Sequence, residues 1–224
     1  MDDGSKSTEE TLKLLSMLSA QGVDTVIATP HFYANDESVE SFLARRQESY
    51  KRLCEVLPEN APRVLLGAEV SYYSGISHLD GLYRLCIEGT QLLLLEMPFE
   101  HWTEHTLREV KELAMRGRLT VILAHIERYM HMQNEKALSE LLEYGVIMQV
   151  NSSFFNRITT KRKALKLLSS GVIQVIGSDT HNSTLRPPTL DTAYNTIEKK
   201  FGENLVREIN EYGAFLLERY RLQK

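Results

Sequence analysis

Apolar residues occur along this chain in two kinds of segment, one with helical spacing and one of short continuous runs. Segment 7–20 is typical of the first kind, because its leucines fall on one helical face and Ser7 with Glu10 forms a capping box at its start. Several of these segments close at a glycine, as helices commonly do. The pattern predicts helices over 7–20, 38–57, 103–116, 135–144, 161–168, 190–200 and 203–224.

The short apolar runs lie between these helices and are predicted as β-strands. They are almost free of polar positions, which is typical of strands buried on both faces of a sheet. Strands that alternate with helices form a parallel sheet, so the fold class is α/β. The strands are predicted over 25–29, 64–68, 91–95, 120–124, 146–150 and 172–176.

The number of strands leaves two architectures open. Six predicted strands are fewer than the eight of a complete (β/α)8 barrel, and a doubly wound open sheet is the structural alternative. Polar residues follow nearly every strand instead of gathering at one switch point, which favours a barrel. No linker, low-complexity stretch or repeat divides the chain, so residues 1–224 are predicted to form a single domain.

The polar residues that follow the strands have a common chemistry. Parallel strands bring their carboxyl ends to one rim, where carboxylates and imidazoles would crowd together with no run of lysines or arginines beside them. About two or three divalent cations would relieve the repulsion, and mixed nitrogen and oxygen donors suit Mn, Fe or Zn better than Ca. Any one such residue alone is more often an ordinary core or surface group. The predicted donors are His31, Glu69, Glu96, His125, Asp179 and His181.

Two arginines are candidates for binding an anionic substrate at this rim. Arg128 lies three residues after His125, and Arg186 lies in a loop whose Pro187 and Pro188 limit its freedom. A guanidinium group matches the oxygens of a phosphate. The alternative is that both arginines form ordinary surface ion pairs; beside a metal cluster we favour a phosphate clamp.

Other features narrow the chemistry. Neither Cys54 nor Cys86 begins a Cys-x5-Arg phosphate loop, because Asn60 and Leu92 stand where the arginine would be. This argues against a cysteine nucleophile. Aromatic residues after two of the strand ends either line the mouth of the site or pack beneath a loop, and the sequence leaves both interpretations open: Tyr72, Tyr73, Phe99 and Trp102.

Charge and composition exclude several classes of partner. The net charge is -4 without a basic block, so broad binding to nucleic acid or to an anionic membrane is not expected. No apolar run approaches the roughly 20 residues that span a bilayer. Two distant cysteines indicate a reducing compartment, and the acidic start of the sequence does not resemble a signal peptide. The sequence therefore predicts a cytoplasmic protein that is not embedded in a membrane.

Short motifs at the strand ends carry a family resemblance that extends over essentially the whole chain. They are Ala28-Thr29-Pro30-His31, Gly67-Ala68-Glu69, Leu95-Glu96, Ala124-His125-Ile126-Glu127-Arg128, Gln149-Val150-Asn151-Ser152, Ser178-Asp179-Thr180-His181-Asn182 and Arg186-Pro187-Pro188. In this order they resemble the motifs of the PHP superfamily. Within it they are most similar to the bacterial tyrosine-protein phosphatases of capsular and exopolysaccharide operons.

The resemblance implies a distorted (β/α)7 TIM-like barrel with a trinuclear site that is usually manganese-dependent, with Fe, Mg or Zn as alternatives. It implies that Arg128 and Arg186 bind phosphate and stabilise the transition state. It assigns the metal ligands in three sets: Glu69, Glu96 and His125; Asp3, His31 and His181; and Asp179 with a bridging Glu69.

One departure from the family pattern concerns the start of the sequence. Family members open with a strand and an Asp-x-His-x-His motif shortly before the position of Asp2-Asp3-Gly4, where this sequence begins. We therefore expect the first strand and two histidine ligands to be absent from this chain. A misplaced start or a truncation is one interpretation, and a degenerate paralogue with two metals or weak activity is the other.

The resulting hypothesis is a metal-dependent protein-tyrosine phosphatase with a metal-bound water as nucleophile. The resemblance implies an autophosphorylating bacterial tyrosine kinase as the partner, and hence regulation of capsule and exopolysaccharide synthesis. The alternatives are a PHP phosphatase acting on a small ester of the histidinol-phosphate type and a non-catalytic scaffold that binds the kinase. Homo-oligomerisation is left open.

Overall fold

The computed structural model describes residues 3–115 and 119–221. Helices and parallel strands alternate within this part of the chain, as the hydrophobic pattern predicts. The strands are β1 (Thr25–Ala28), β2 (His31–Phe32), β3 (Arg63–Leu66), β4 (Glu69–Ser71), β5 (Leu92–Glu96), β6 (Thr120–Leu123), β7 (Ile147–Asn151) and β8 (Val175–Gly177). The α-helices are α1 (Thr8–Ala20), α2 (Val39–Cys54), α3 (Glu104–Met115), α4 (Glu135–Glu143), α5 (Ser153–Asn156), α6 (Ile158–Ser169), α7 (Leu190–Phe201) and α8 (Glu203–Arg219).

The strands predicted over 25–29 and 64–68 are each followed by a second short strand that the hydrophobic pattern does not predict. The break between β1 and β2 falls at Pro30, which has no backbone N–H to donate to the ladder. The register is nevertheless continuous, because Ala28 pairs with Leu66 and His31 pairs with Glu69 at the same offset. The backbone N–H of Glu69 also donates to the carbonyl oxygen of Pro30 at 3.0 Å. The two pairs of short strands therefore run side by side up to the rim.

The order of the strands decides between the two predicted architectures. β1 pairs with β3, and the larger sheet has the order β2-β4-β5-β6-β7-β8, all parallel. Among the described residues the order never reverses, whereas a reversal defines a doubly wound sheet. The result is a curled parallel half-barrel in an α/β fold. The sevenfold barrel and the absent first strand stay predictions.

Several predicted boundaries differ from the observed ones. The helix predicted over 38–57 ends at Cys54, because Pro58 disfavours helical geometry at Leu57. The strand predicted over 172–176 begins only at Val175, since Val172 closes the turn after α6 through its N–H to Leu167. Arg116 and residues 222–224, which were predicted to be helical, lie outside the described residues. The pattern also misses α5 and the 3₁₀ helices Ile76–His78, Leu82–Leu85, Ile126–Arg128 and Met130–Met132.

The last helix covers the amino-terminal end of the sheet. Leu216 of α8 packs with Leu65, Leu92, Ile122 and Ile147 in one buried apolar cluster. The backbone N–H of Gln91, just before β5, donates to the carbonyl oxygen of Tyr220 at 2.8 Å. This arrangement leaves the carboxyl-terminal rim for polar chemistry. Within the described part of the chain, no helix is both long and apolar enough to cross a membrane.

Candidate functional site

The sheet brings the predicted donors to one rim. Glu96 is the last residue of β5, and His125 lies two residues after the end of β6. His31 and Glu69 open β2 and β4 and are partners in the register, which places them side by side. Asp179 and His181 follow β8. The convergence expected from parallel strands is therefore observed for all the donors predicted from the hydrophobic pattern.

The most buried part of the site is a histidine between two carboxylates. His125 Nε2 lies 2.7 Å from Glu69 Oε1 and 3.3 Å from Glu96 Oε1, and all three residues are buried. Burial lowers the pKa of His125, but the hydrogen bonds to Glu69 and Glu96 outweigh it and raise the pKa to about 9. Burial likewise raises the pKa of Glu96, yet its hydrogen bond to His125 gives a net lowering.

His31 joins this group to a second set of donors. Ligand atoms of His31, Glu69 and Glu96 lie within 4.8 Å of one another, and so do those of Asp3, His31 and His181. In the second set His181 Nε2 lies 3.2 Å from Asp3 Oδ2, and His31 Nε2 lies 3.7 Å from Asp3 Oδ1. The two triads share one histidine and therefore form a continuous cluster.

The donor set fits divalent transition metals. Imidazole nitrogens and carboxylate oxygens in one cluster suit Mn, Fe or Zn. The Nδ1 atom of His125 is buried and makes no hydrogen bond within the described ranges, so this ring has an unused polar atom at the centre of the site. The assignment of each residue to a particular ion stays a prediction.

Asp179 gathers the two arginines. Its Oδ2 atom accepts hydrogen bonds from Arg186 Nη2 at 2.5 Å, from Asn151 Nδ2 at 2.6 Å and from Arg128 Nη2. Its Oδ1 atom lies 3.7 Å from His181 Nδ1. Both guanidinium groups thus form ion pairs with one carboxylate inside the donor cluster, and their phosphate-binding role stays a prediction. The carboxylate that the resemblance assigns to a metal also anchors the two candidate phosphate-binding groups.

Two of the site residues have unusual backbone conformations. His125 has φ 34° and Asp179 has φ 49°, both in the left-handed region that residues with a Cβ atom seldom adopt. Such strain persists only where the surrounding structure fixes it, and it is common at functional sites. It turns each side chain away from the direction that a continuing strand would give it.

The loop that carries Arg186 is ordered by side chains at its start. Asn182 Oδ1 accepts hydrogen bonds from the backbone N–H groups of Thr184, Leu185 and Arg186. The carboxylate of Glu10 accepts a 2.6 Å hydrogen bond from the N–H of Ser183. Glu10 therefore contacts this loop, while its own N–H binds Ser7 at the start of α1 as one half of the predicted capping box.

Exposed aromatic rings lie against two of the histidines. Phe99 is 55% exposed and stacks on His125 with a centroid separation of 6.3 Å and an interplanar angle of 16°. Tyr33 is 43% exposed and stacks on His31 at 5.6 Å and 24°. The outer faces of both rings are therefore accessible beside the cluster.

Of the other aromatic residues considered for the mouth, two have a packing role. Trp102 is buried against Tyr129, with ring centroids 5.1 Å apart. The hydroxyl of Tyr72 donates a hydrogen bond to Glu109 at 2.6 Å. Burial, and after it this hydrogen bond, raises the pKa of Tyr72 to about 12.

Three contributors to the rim have no role in the sequence interpretation, although two of them, Glu127 and Asn151, lie within its motifs. Tyr33 lies two residues after His31, a spacing that puts both on one face of a strand, and that spacing could have identified it. Asn151 ends β7 at the same rim as the predicted donors. Glu127 accepts a hydrogen bond from the N–H of Asn151 at 3.3 Å, and burial raises its pKa to about 7. Its place in the motif Ala124-His125-Ile126-Glu127-Arg128 is the sequence signal that could have identified Glu127.

Comparisons with known proteins agree with this geometry. The family described as capsular polysaccharide synthesis, CpsB/CapC, matches residues 1–214. The chain is 31% identical to the tyrosine-protein phosphatase CpsB of Streptococcus pneumoniae, with 93% of this chain and 90% of that protein covered. It is 29% identical to the tyrosine-protein phosphatase YwqE of Bacillus subtilis strain 168, with 97% and 87% covered.

A solved structure supports the same relationship. It comes from crystallographic work on YwqE of Bacillus subtilis and CpsB of Streptococcus pneumoniae, described there as metal-dependent tyrosine phosphatases. The TM-score is 0.83 at 27% identity, over 100% of this chain and 92% of the solved chain. The chain is a member of the CpsB/CapC family of capsular polysaccharide synthesis.

Proposed function

We propose that this protein is a metal-dependent phosphatase that hydrolyses phosphotyrosine in proteins. One observation carries the proposal: Arg128 and Arg186 meet at Asp179, immediately beside two donor triads that share His31. Guanidinium groups next to a cluster of metal ligands are an arrangement suited to phosphoryl transfer. The tyrosine-protein phosphatases to which the chain is similar support the same reaction.

The residues of the cluster divide the work between metal binding and phosphate binding. Glu69, Glu96 and His125 would hold one ion, Asp3, His31 and His181 another, and Asp179 with Glu69 a third, with manganese as the proposed metal. Divalent ions bound by these residues would supply an activated water and would neutralise negative charge on the phosphate. Arg128 and Arg186 donate to the equatorial phosphate oxygens as charge develops on them. Tyrosine leaves as a phenolate, which is a fair leaving group, so a strong general acid is unnecessary.

The cysteines do not support the alternative covalent chemistry. Cys86 is buried, and burial raises the pKa of its thiol to about 12, so it is not a thiolate at neutral pH. Cys54 is the last residue of α2 and lies beside Arg63 and Val64 at the start of β3, at the end of the sheet away from the donor cluster. The proposed reaction therefore proceeds without a phosphocysteine.

The exposed rings favour an aryl phosphate over a small alkyl ester. Phe99 and Tyr33 each present an accessible face next to a ligand histidine, and an aromatic substrate ring stacks favourably on such faces. The family description and the names of the similar tyrosine-protein phosphatases together support a phosphotyrosine protein of capsular polysaccharide synthesis as the substrate. We propose an autophosphorylating bacterial tyrosine kinase as that protein.

The test compares substrates at known metal content. Purified protein is loaded with Mn, its bound metal is measured, and initial rates are recorded for a phosphotyrosyl peptide, the matching phosphoseryl peptide and histidinol phosphate. We expect the phosphotyrosyl peptide to give the highest kcat/KM, and chelation to abolish turnover. A preference for histidinol phosphate would replace the proposal with a small-ester phosphatase. Metal binding without any hydrolysis would support a scaffold.

A further inference from the structure

A buried glutamine connects the two strained residues of the site. Gln149 lies in β7 and is only 8% exposed. Its Oε1 atom accepts a hydrogen bond of 2.5 Å from the backbone N–H of His125. Its Nε2 atom donates to the carbonyl oxygen of Val150 at 2.9 Å and to Asn151 Oδ1 at 3.2 Å. Both ends of one carboxamide are thus engaged inside the sheet.

Asn151 extends this connection to the arginine pair. Its Nδ2 atom donates to Asp179 Oδ2 at 2.6 Å, the same oxygen that accepts from Arg128 and Arg186. An unbroken series of hydrogen bonds therefore runs from the backbone of His125 through two carboxamides to Asp179. The residues at its two ends are the two non-glycine residues with left-handed φ in the described ranges.

The neighbouring strand leaves room for this glutamine. Gly177 of β8 pairs with Asn151, and a Cβ atom at position 177 would overlap Gln149 Nε2 and lie 3.3 Å from its Cδ. Gly177 does not have a positive φ, so its backbone conformation does not demand glycine. The absence of a side chain at 177 is explained by the space that the carboxamide of Gln149 occupies.

We propose that Gln149 is a positioning residue that fixes the spacing between His125, on the metal-binding side, and Asp179, which holds the two phosphate-binding arginines. The oxygen of the Gln149 carboxamide accepts from the backbone N–H of His125. Its nitrogen donates to Asn151, which in turn donates to the carboxylate of Asp179. Such supporting contacts orient metal ligands, and their loss commonly weakens metal binding about 10- to 100-fold. The inference rests on the proposed function for the role of the arginines, but its effect on metal affinity is independent of catalysis.

The test replaces the carboxamide without removing its bulk. Gln149→Leu is nearly isosteric and loses both ends of the connection, and Gly177→Ala leaves Gln149 in the sequence but displaces its side chain. We expect each variant to bind Mn about 10-fold more weakly or worse, measured by calorimetry on metal-free protein. Gln149→Glu keeps an acceptor for the His125 N–H, so it should recover part of the Mn affinity while kcat on the phosphotyrosyl peptide stays low.

A matched control separates positioning from general stability. Gln174 also accepts a backbone hydrogen bond with its Oε1, from the N–H of Met148 at 2.9 Å, but it lies just before β8, on the amino-terminal side of the β7 and β8 pair. Gln174→Leu should lower the melting temperature about as much as Gln149→Leu and leave Mn affinity unchanged. Equal Mn affinities in wild type, Gln149→Leu and Gly177→Ala would overturn the proposal, as would equal losses in Gln149→Leu and Gln174→Leu. If Gln149→Leu binds Mn more weakly than the wild type but the wild type itself hydrolyses no phosphotyrosyl peptide, the proposed function is rejected and the positioning role of Gln149 stands.

Discussion

Gln21, the residue that follows α1, donates a hydrogen bond of 2.9 Å from its side-chain amide to the carbonyl oxygen of Pro188. Its Oε1 atom accepts from the N–H of Leu190 at 2.9 Å. Glu10, on the same helix, holds the other end of this loop at Ser183. Helix α1 therefore fixes both ends of the segment that carries Arg186, although it contributes no predicted ligand.

Gln21→Ala should loosen this loop without altering the donor cluster. Each of the two lost hydrogen bonds contributes about 1 kcal/mol to holding the loop, so we expect KM for the phosphotyrosyl peptide to rise about 5- to 30-fold. Bound Mn should be unchanged. Steady-state kinetics with Gln47→Ala, an exposed glutamine on α2, as control will check this. An unchanged KM would mean that the loop holds its shape through Asn182 alone.

Arg186→Ala should abolish most turnover while leaving metal bound. The guanidinium group sits on Asp179 beside the cluster, and a donor to a developing phosphate charge typically contributes about 10²- to 10³-fold in kcat. Arg186→Lys should recover only part of this, since an ammonium lacks the two-pronged geometry. The measurement is kcat with metal content determined in parallel, and Arg207→Ala on α8 is the control. Wild-type turnover in Arg186→Ala would reject its role.

Phe99→Ala should reduce the preference for aryl phosphates. The ring is more than half exposed, so its removal costs little stability, and an aromatic pair contributes about 0.5–1.5 kcal/mol. We expect kcat/KM for the phosphotyrosyl peptide to fall about 2- to 10-fold, with that for an alkyl phosphate unchanged. Phe215→Ala, an exposed phenylalanine on α8 at the other end of the sheet, is the matched control. Equal losses on both substrate types would contradict an aryl-binding role.

The sequence predicts that the donor residues meet at one rim of the sheet, but it does not predict which side chains contact one another there. His31, Glu69 and His125 come together because apolar runs define strands, and parallel strands share a rim. The pairing of Asp179 with Arg186 could not be predicted, since it depends on a left-handed φ and on the path of a loop, neither of which the hydrophobic pattern encodes.

The aromatic residues illustrate the same limit. Phe99 and Trp102 both follow Glu96 and are equally apolar, so the sequence offers no way to decide which one faces the mouth. Packing decides it, because Trp102 is buried against Tyr129 and Phe99 is left outside on His125. The break between β1 and β2 is more readily anticipated, since Pro30 cannot donate to the ladder.

Metal binding should release a proton from His125. Its pKa, about 9 through the contacts with Glu69 and Glu96, lies well above the ordinary value near 6.5, so the ring is protonated at pH 7 in the metal-free protein. A metal ligand must be the neutral imidazole, so a bound ion displaces this proton. Mn affinity should therefore rise with pH by up to about tenfold per pH unit and level off near pH 9.

Calorimetry in buffers of different ionisation enthalpy measures that release directly. At pH 7.5 we expect about one proton per protein to be lost from this position on Mn binding, and markedly less near pH 9.5. The same raised pKa makes the charged ring stabilise the metal-free fold below about pH 6.5, and that stability declines as pH rises through about 9. His131→Asn, at an exposed histidine, controls for general titration effects. If almost no proton is released on Mn binding at pH 7.5, the imidazole of His125 is already neutral in the metal-free protein. The carboxylates of Glu69 and Glu96 would then be charged beside a neutral ring.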